Sequence, residues 1–560
     1  MPDLCSLISK CFILSAISYK MEIHGSKNMR LLGLASLFVA TVLGTSTFEI
    51  SPNFRSPKNI LFSCMYGGSS HVSWVISILD ELSLRGHTTF YLTTDGQMKF
   101  AKDYPSITSN SIGPSLSKEE HNRFMEELSS KPIVEGIKSM LERLTIKFPH
   151  EYVSNLEYIK SNNIDLVICD SFNSPCIEAA IKSKIPFLAT SSFAQGKDAS
   201  APYINNDLSN MKNPTTEFMS LKERISDMII NPVKYTIMLY TTINSQKKMY
   251  KGFGIKPALQ AYRKSKDSVK LVNSAFGFEQ GRPLGPLMEL VGPILPKIYQ
   301  ELTPELKSFL DAHQRVAYVA FGQHAIGKES DGRLVLTGLL EAIERNDLDG
   351  VIWATRGIDR MFPSHITTES NTTYDVKTFY EGTEKVMFIN WAPQMAILHH
   401  PATSMFITHG GAGSLYESFY SGVRVIVYPF FMDQPGAAKT MEKNGVGLML
   451  ERHVSQTEAN KIIQKVALDE GGKFQLNTER FKALVQIRSQ RGVARSADII
   501  EEVLFTHNDT HVPHRWDVKR NMTFIKASNL DIYMFLVVFL GCFGYGIKSL
   551  FTVPKKLKTI

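Results

Sequence analysis

Two glycine-rich turns in this 560-residue chain carry histidines where a strand pattern hands over to a helix pattern. The first, Gly67-Gly-Ser-Ser-His71, follows the apolar run NILFSCMY. A histidine at a helix N-terminus feels the positive end of the dipole, which lowers its pKa and keeps it neutral as a base. The second, Thr408-His-Gly-Gly-Ala-Gly-Ser414, lies between SMFI and LYESFY. Its backbone N–H groups can approach a diphosphate, the helix N-terminus adds partial positive charge, and His409 adds a donor. A bare tight turn reads the same way, so this loop gains weight only from its company. Trp391-Ala-Pro-Gln394 precedes it, and Asp433-Gln434 follows the next strand pattern. Asp170 closes the run IDLVIC; an Asp bonded to one imidazole nitrogen orients the ring and stabilises its cation.

These residues need strands and helices in alternation to position them, and the pattern supplies that twice. After Lys58 come a short apolar run, a helix over Val72–Leu84 with Val75, Ile78, Leu79 and Leu82 on one face, and a β-rich run Thr88–Thr93. This βαβ unit predicts a parallel sheet, continued at Ile164–Cys169, a helix from about Cys176 to Lys182, and IPFLATSS. A stretch with Pro283, Pro286, Pro293, Pro296 and Pro304 reads as a hinge. Beyond it the alternation resumes: strand Val316–Phe321, helix Leu334–Arg345, and strands Val351–Ala354, Val386–Ile389 and Ser404–Ile407. A helix Leu415–Tyr420 and a strand Val425–Tyr428 follow. Two doubly wound α/β domains facing each other would leave a cleft at the carboxyl ends of both sheets. Residues Met211–Lys256 read as helical, without a motif.

Taken together, FINWAPQMAILHHP, FITHGGAGSLYE and VYPFFMDQP resemble the signature of UDP-glycosyltransferases, the family that contains UDP-glucuronosyltransferases. The resemblance implies two facing Rossmann-like domains (GT-B type) plus one C-terminal transmembrane helix. It further implies that Trp391 stacks on uracil, that the Ala392 backbone reads the base edge, and that Gln394 and Glu417 hold ribose hydroxyls. His409 and Ser414 would contact the diphosphate from the loop that also holds Gly413, and Asp433 and Gln434 would bond hydroxyls of the transferred sugar. The residue types suit those roles: an aromatic face for a base, a carboxylate for a diol, N–H groups for phosphates. Many vertebrate members carry Asn-Gly where this chain has Gly413-Ser414, a departure that bears on the side-chain role there. His71 in SSHVSW and Asp170 in VICDSF resemble the family's His–Asp dyad.

The implied reaction is inverting transfer of a glycosyl group from UDP-glucuronate or UDP-glucose to a hydroxyl of a small lipophilic acceptor. No cofactor or metal is expected, because the UDP-sugar is a co-substrate and fixed dipoles serve the leaving group. The rival reading is a catalytically silent, membrane-anchored UDP-sugar or lipophile binder; His71 and Asp170 together argue against it. A hydrolase would need a serine elbow, which is missing. Three other patterns read as decoys. Gly322-Gln-His-Ala-Ile-Gly327-Lys328 approximates a P-loop, but Glu329 stands where Ser or Thr should hold magnesium. Asp347-Leu-Asp349 reads as a solvated turn, and His507, His511 and His514 as a surface tract broken by Pro513.

The ends carry targeting information. Leu31–Leu43 is apolar, preceded by Lys27 and Arg30 and followed by Gly44, Thr45 and Ser46, the build of a secretory signal within residues 1–47, with translation starting at Met29 or Met21. Ile532–Ile547 extends past Lys548 to about Val553, long enough to cross a bilayer as part of a 530–553 span. The tail 554–560, with Lys555, Lys556 and Lys558, reads as cytosolic and the body as lumenal. Lys556 and Lys558 resemble a dilysine retrieval signal, which implies a single-pass type I protein of the endoplasmic reticulum membrane. Between the ends, 48–290 reads as an acceptor-binding domain and 291–525 as a UDP-sugar-binding domain. Lumenal sequons are Asn371, Asn508 and Asn521, the last close to the membrane. Expected partners are the UDP-sugar, a small lipophilic acceptor, the membrane and a possible homo-oligomer.

With 62 Lys+Arg against 54 Asp+Glu the formal charge is +8. Residues 1–47 hold four basic and two acidic residues, and 526–560 five and one, so +2 and +4 belong to the ends and +2 to the body. A near-neutral body excludes a nucleic-acid footprint. Six cysteines exclude a disulfide scaffold; Cys64, Cys169 and Cys176 read as buried hydrophobes, with a Cys169–Cys176 bond the weaker option.

Overall fold

The computed structural model describes residues 53–205, 215–257 and 264–551. The expected signal region, the Met29 start and the lysine-bearing tail lie outside these residues. Ser56–Ile560 forms one compact unit. It holds two parallel sheets.

The first sheet contains β1 (Asn59–Ser63), β2 (Thr88–Thr93), β3 (Ile107–Ser111), β4 (Leu166–Asp170), β5 (Phe187–Ser191), β6 (Lys270–Val272) and β7 (Met288–Leu290). Their order is β3-β2-β1-β4-β5-β6-β7. The second contains β8 (Val316–Ala320), β9 (Gly350–Ala354), β12 (Val386–Ile389), β13 (Thr403–Thr408), β14 (Arg424–Val427) and β15 (Gly447–Met449). Its order is β12-β9-β8-β13-β14-β15. A short antiparallel hairpin of β10 (His365–Thr367) and β11 (Thr373–Asp375) stands apart.

Both sheets reverse direction once, between β1 and β4 and between β8 and β13, which is the doubly wound Rossmann arrangement twice over. Helices cover both faces, so the central strands read as continuous apolar runs rather than alternating ones. Ile60, Leu61 and Phe62 are fully buried, as are Met405, Phe406 and Ile407. Truncating Phe62 or Phe406 to Ala would cost about 3–5 kcal/mol.

Most predicted elements form within a few residues of their expected bounds. The helix predicted from Val72 begins at Ser69, which brings His71 into its first turn. The Pro-rich stretch holds an unforeseen edge strand, β7. The sequence division at residue 291 also did not anticipate the helix Lys473–Thr506, which serves both cores. Its Val485 packs with Phe419 of the helix Ala412–Ser421 and Val425 of β14. Its Ile499, Ile500 and Val503 pack with Ile60 of β1 and Val75 of the helix Ser69–Leu84. Arg85 clamps this return through Asp498 at 2.7 Å and Glu501 at 2.6 Å.

The helix Leu530–Phe551 has 22 residues and no buried side chain. At 1.5 Å per residue it spans about 33 Å, enough for a hydrocarbon core of about 30 Å.

Candidate active site

The first site residues flank the reversal point of the first sheet. His71 follows β1 and Asp170 ends β4, the two strands that pair there. His71 Nδ1 lies 2.8 Å from Asp170 Oδ2, the distance of a charge-assisted hydrogen bond. Asp170 Oδ1 accepts from the Phe172 N–H at 3.0 Å, and the Phe172 ring tilts over the imidazole with centroids 5.4 Å apart. Gly67 sits at φ +100°, where a Cβ would come within 2.6 Å of the His71 ring, so the turn needs glycine twice over. Asn173 and Asn155 both bond the Ser63 hydroxyl, tying the loop after Asp170 to the end of β1. With the carboxylate on Nδ1, that nitrogen carries the proton and Nε2 is left to face a substrate.

Electrostatics correct one expectation. Burial pulls the His71 pKa down, but the charge and hydrogen bond of Asp170, and then the charge of Asp433, outweigh it and leave the group above its ordinary value. The dipole argument anticipated the opposite sign; two carboxylates are nearer than the helix field is strong.

The second sheet repeats the arrangement with different neighbours. His409 follows β13 and precedes the helix Ala412–Ser421, which starts at Gly411 without a side-chain cap. Burial, then the charge of Arg356, holds His409 down to about 4, so its ring is neutral near pH 7. Its Nδ1 is buried with no hydrogen-bond partner among the described residues. Gln394 organises the neighbouring polar groups: its Nε2 donates to Glu417 Oε2 at 2.6 Å and to Ser414 at 3.2 Å. Burial lifts Glu417 to about 7 against the opposing hydrogen bond from Gln394. Trp391 is 60% exposed, so its face is open rather than buried in a core. Ala392 lies beside it, half-buried.

The two halves meet at these residues. A Cβ on Gly413 would stand 3.9 Å from the Ser70 side chain, so the two helix N-termini oppose each other across the cleft. Asp433 and His71, from opposite halves, feel each other's charge; burial raises Asp433 above the usual carboxylate value while its own backbone N–H and His71 pull it back. A cavity beside them is lined by Phe193 and Glu279 on one side and by Gly410, Tyr416 and Asp433 on the other. Gln434 is placed differently from its neighbour. Its Oε1 accepts the Phe430 and Phe431 N–H groups at 2.8 and 3.1 Å, so the carboxamide oxygen holds its own loop.

Several residues here had no sequence signal strong enough to single them out. His324 lies in the P-loop-like stretch, bonded through Nδ1 to His121 Nε2 of the other half at 3.0 Å. Burial first, then the charges of His121, His71, Arg356 and His409, hold it down to about 3. Arg356 stands two residues past the end of β9, in the segment WATRG. Glu279 accepts from the Ala194 N–H at 2.8 Å and from Arg282 at 3.1 Å.

The remaining candidates stand apart from the cleft. Asn371, Asn508 and Asn521 are exposed. Asp349 accepts the Gln314 and Arg315 N–H groups, a turn as expected, whereas Asp347 is buried and paired with Arg345 at 2.8 Å rather than solvated. His514 bonds Glu502, and among the described residues no three metal-ligating side chains converge. Cys169 and Cys176 form a disulfide, the weaker of the two readings of that pair, while Cys64 is a buried thiol.

With this geometry in view, the family described as "UDP-glucoronosyl and UDP-glucosyl transferase" matches residues 61–555. A UDP-glycosyltransferase of Talaromyces amestolkiae is 29% identical over 509 residues, covering 86% of this chain and 95% of that protein. UDP-glucuronosyltransferase 2B7 of Homo sapiens is 25% identical over 504 residues, covering 84% and 88%. In fold, the chain is similar to the crystal structure of the glycotransferase of kitacinnamycin, with a TM-score of 0.57 at 16% identity over 80% of this chain and 99% of that one.

Proposed function

The chain belongs to the UDP-glucuronosyl and UDP-glucosyl transferase family and is a UDP-glycosyltransferase that binds a UDP-sugar, and on that premise we propose how its cleft works and what it acts on. Glucuronate or glucose passes from UDP to a hydroxyl of a small lipophilic acceptor, with inversion at the anomeric carbon. The observation that carries the reading is the Asp170-bound imidazole of His71 opposing the glycine-rich loop and Asp433 of the other half. His71 Nε2 takes the proton of the acceptor hydroxyl as its oxygen bonds to the anomeric carbon. The bond from that carbon to the β-phosphate oxygen breaks on the opposite face, and UDP leaves with the electron pair. Asp170 stabilises the imidazolium, which then returns its proton to solvent. His409, neutral and so able to donate one N–H, and the N-terminus of the helix Ala412–Ser421 steady the leaving diphosphate.

Trp391 offers its face to uracil, Gln394 and Glu417 take the ribose hydroxyls, Asp433 takes the sugar hydroxyls, and Gln434 contributes its N–H₂ group. The helix Leu530–Phe551 anchors the enzyme in the endoplasmic reticulum membrane as a type I protein, body lumenal, with Asn371 and Asn508 open to glycosylation. Microsomes bearing the chain, incubated with UDP-glucose or UDP-glucuronate and an acceptor panel, should yield conjugates heavier by one hexosyl or hexuronosyl unit. Conjugation that persists undiminished in His71→Ala would sink this mechanism.

A further inference from the structure

We infer that Arg356 is the cation that holds the diphosphate of the donor, a role that rests on the UDP-sugar reading above. Arg356 stands two residues past the end of β9 with φ 59°, a left-handed conformation that side chains other than glycine rarely adopt. Its backbone N–H donates to the Asn390 carbonyl at 2.9 Å, immediately before Trp391. Its guanidinium reaches the other way, donating from Nη1 to the Ala325 carbonyl at 3.3 Å in the loop that follows β8. That loop packs on the glycine-rich turn: a Cβ on Gly322 would come within 2.5 Å of the His409 ring. Arg356 therefore lies between the open tryptophan and the histidine at the helix N-terminus.

Among the described residues Arg488 also lacks a carboxylate and bonds only the Gly292 and Leu290 carbonyls, so what sets Arg356 apart is its place beside three imidazoles at the glycine-rich turn. Arg85, Arg282, Arg424, Arg452 and Arg515 each face a carboxylate. Among the described residues no carboxylate pairs with Arg356, and burial alone brings it down to about 10, still charged near neutrality. Its neighbours are the neutral imidazoles of His121, His324 and His409, which feel its charge. A half-buried guanidinium with one carbonyl partner among the described residues keeps most of its five N–H donors for something else. A diphosphate brings the negative charge that neutral imidazoles and a helix dipole only partly offset, and the guanidinium fork matches phosphate oxygens two at a time.

Calorimetry on the full chain in nanodiscs, with UDP and uridine as probes, tests this in the wild type, R356Q and R356K. The expected result is UDP binding weakened about 10- to 100-fold in R356Q, with uridine binding unchanged. R356K, which keeps the charge and loses the fork, should fall between. The KM for UDP-glucose and for UDP-glucuronate should rise alike. Equal UDP affinity in wild type and R356Q overturns the inference. So does a parallel loss of uridine and UDP, which would mean that Arg356 only props the Trp391 platform. A KM rise confined to UDP-glucuronate would place the guanidinium on a sugar carboxylate and overturn the diphosphate assignment. A wild type that binds no UDP overturns the donor reading and the inference with it, an outcome separate from the others.

Discussion

His71 and His409 flank the reversal points of the two sheets from opposite sides: His71 leaves β1 and lies in the first turn of a helix, and His409 leaves β13, the counterpart of β4, and precedes a helix N-terminus. The frame is shared and the neighbours are not. His71 meets Asp170 directly and Asp433 across the cleft, and its pKa rises; His409 meets burial and Arg356, and its pKa falls to about 4. The local fold thus supplies a position with a helix dipole, and burial weighed against the nearby charges decides what the imidazole does there. In the proposed mechanism the first is the base with an oriented partner, and the second is a neutral donor beside the leaving group.

The sharpest way to break this contrast is to remove the base. His71→Ala should lower kcat by about 10⁴-fold, the upper end of a general base's contribution, while UDP affinity in the same preparation stays unchanged. Loss of UDP binding instead would mean that His71 organises the donor site. Asp170→Asn keeps the imidazole and should cost about 10²-fold in kcat, again without a change in UDP affinity. On the other half, Trp391→Ala should weaken UDP binding about 10- to 100-fold by titration calorimetry, with Trp391→Phe recovering part of it. A smaller effect belongs to Glu417. Because burial lifts it to about 7, the group passes from acid to carboxylate as pH rises through neutrality and becomes the better acceptor for a diol. Donor KM should fall across that range in the wild type and lose the step in Glu417→Gln; a step that survives the substitution would point to another group.

The same contrast explains what could be read from the chain. The second half announces itself because Trp391, Gln394, His409, Ser414, Glu417 and Asp433 sit on one contiguous stretch, all but the mid-helical Glu417 just beyond a strand or within the cap and first turn of a helix. The first half depends on two residues 99 positions apart, so periodicity placed the elements but only the resemblance joined His71 to Asp170. The sign of the His71 shift escaped because it is set by how far the Asp170 charge and hydrogen bond, helped less by Asp433 from the other half, outweigh burial, a balance that no local pattern supplies. Arg356 and His324 were hidden for a related reason. Neither carries a motif of its own; His324 is marked out by its bond to His121 of the other half, and Arg356 by having no carboxylate partner among the described residues, which only packing reveals. The return of the helix Lys473–Thr506 to the first core likewise depends on Ile499, Ile500 and Val503 finding Ile60 and Val75 far back in the chain.

The most direct measurement is the pH dependence of kcat/KM in the wild type and in Asp170→Asn. A base whose folded pKa is raised loses activity as pH falls through that value, so the wild-type acidic limb should lie above the 6.5 of an ordinary histidine. Removing the carboxylate should move the limb to lower pH while the plateau drops. An acidic limb that stays in place in Asp170→Asn would contradict the claim that the neighbouring charge sets the role of His71.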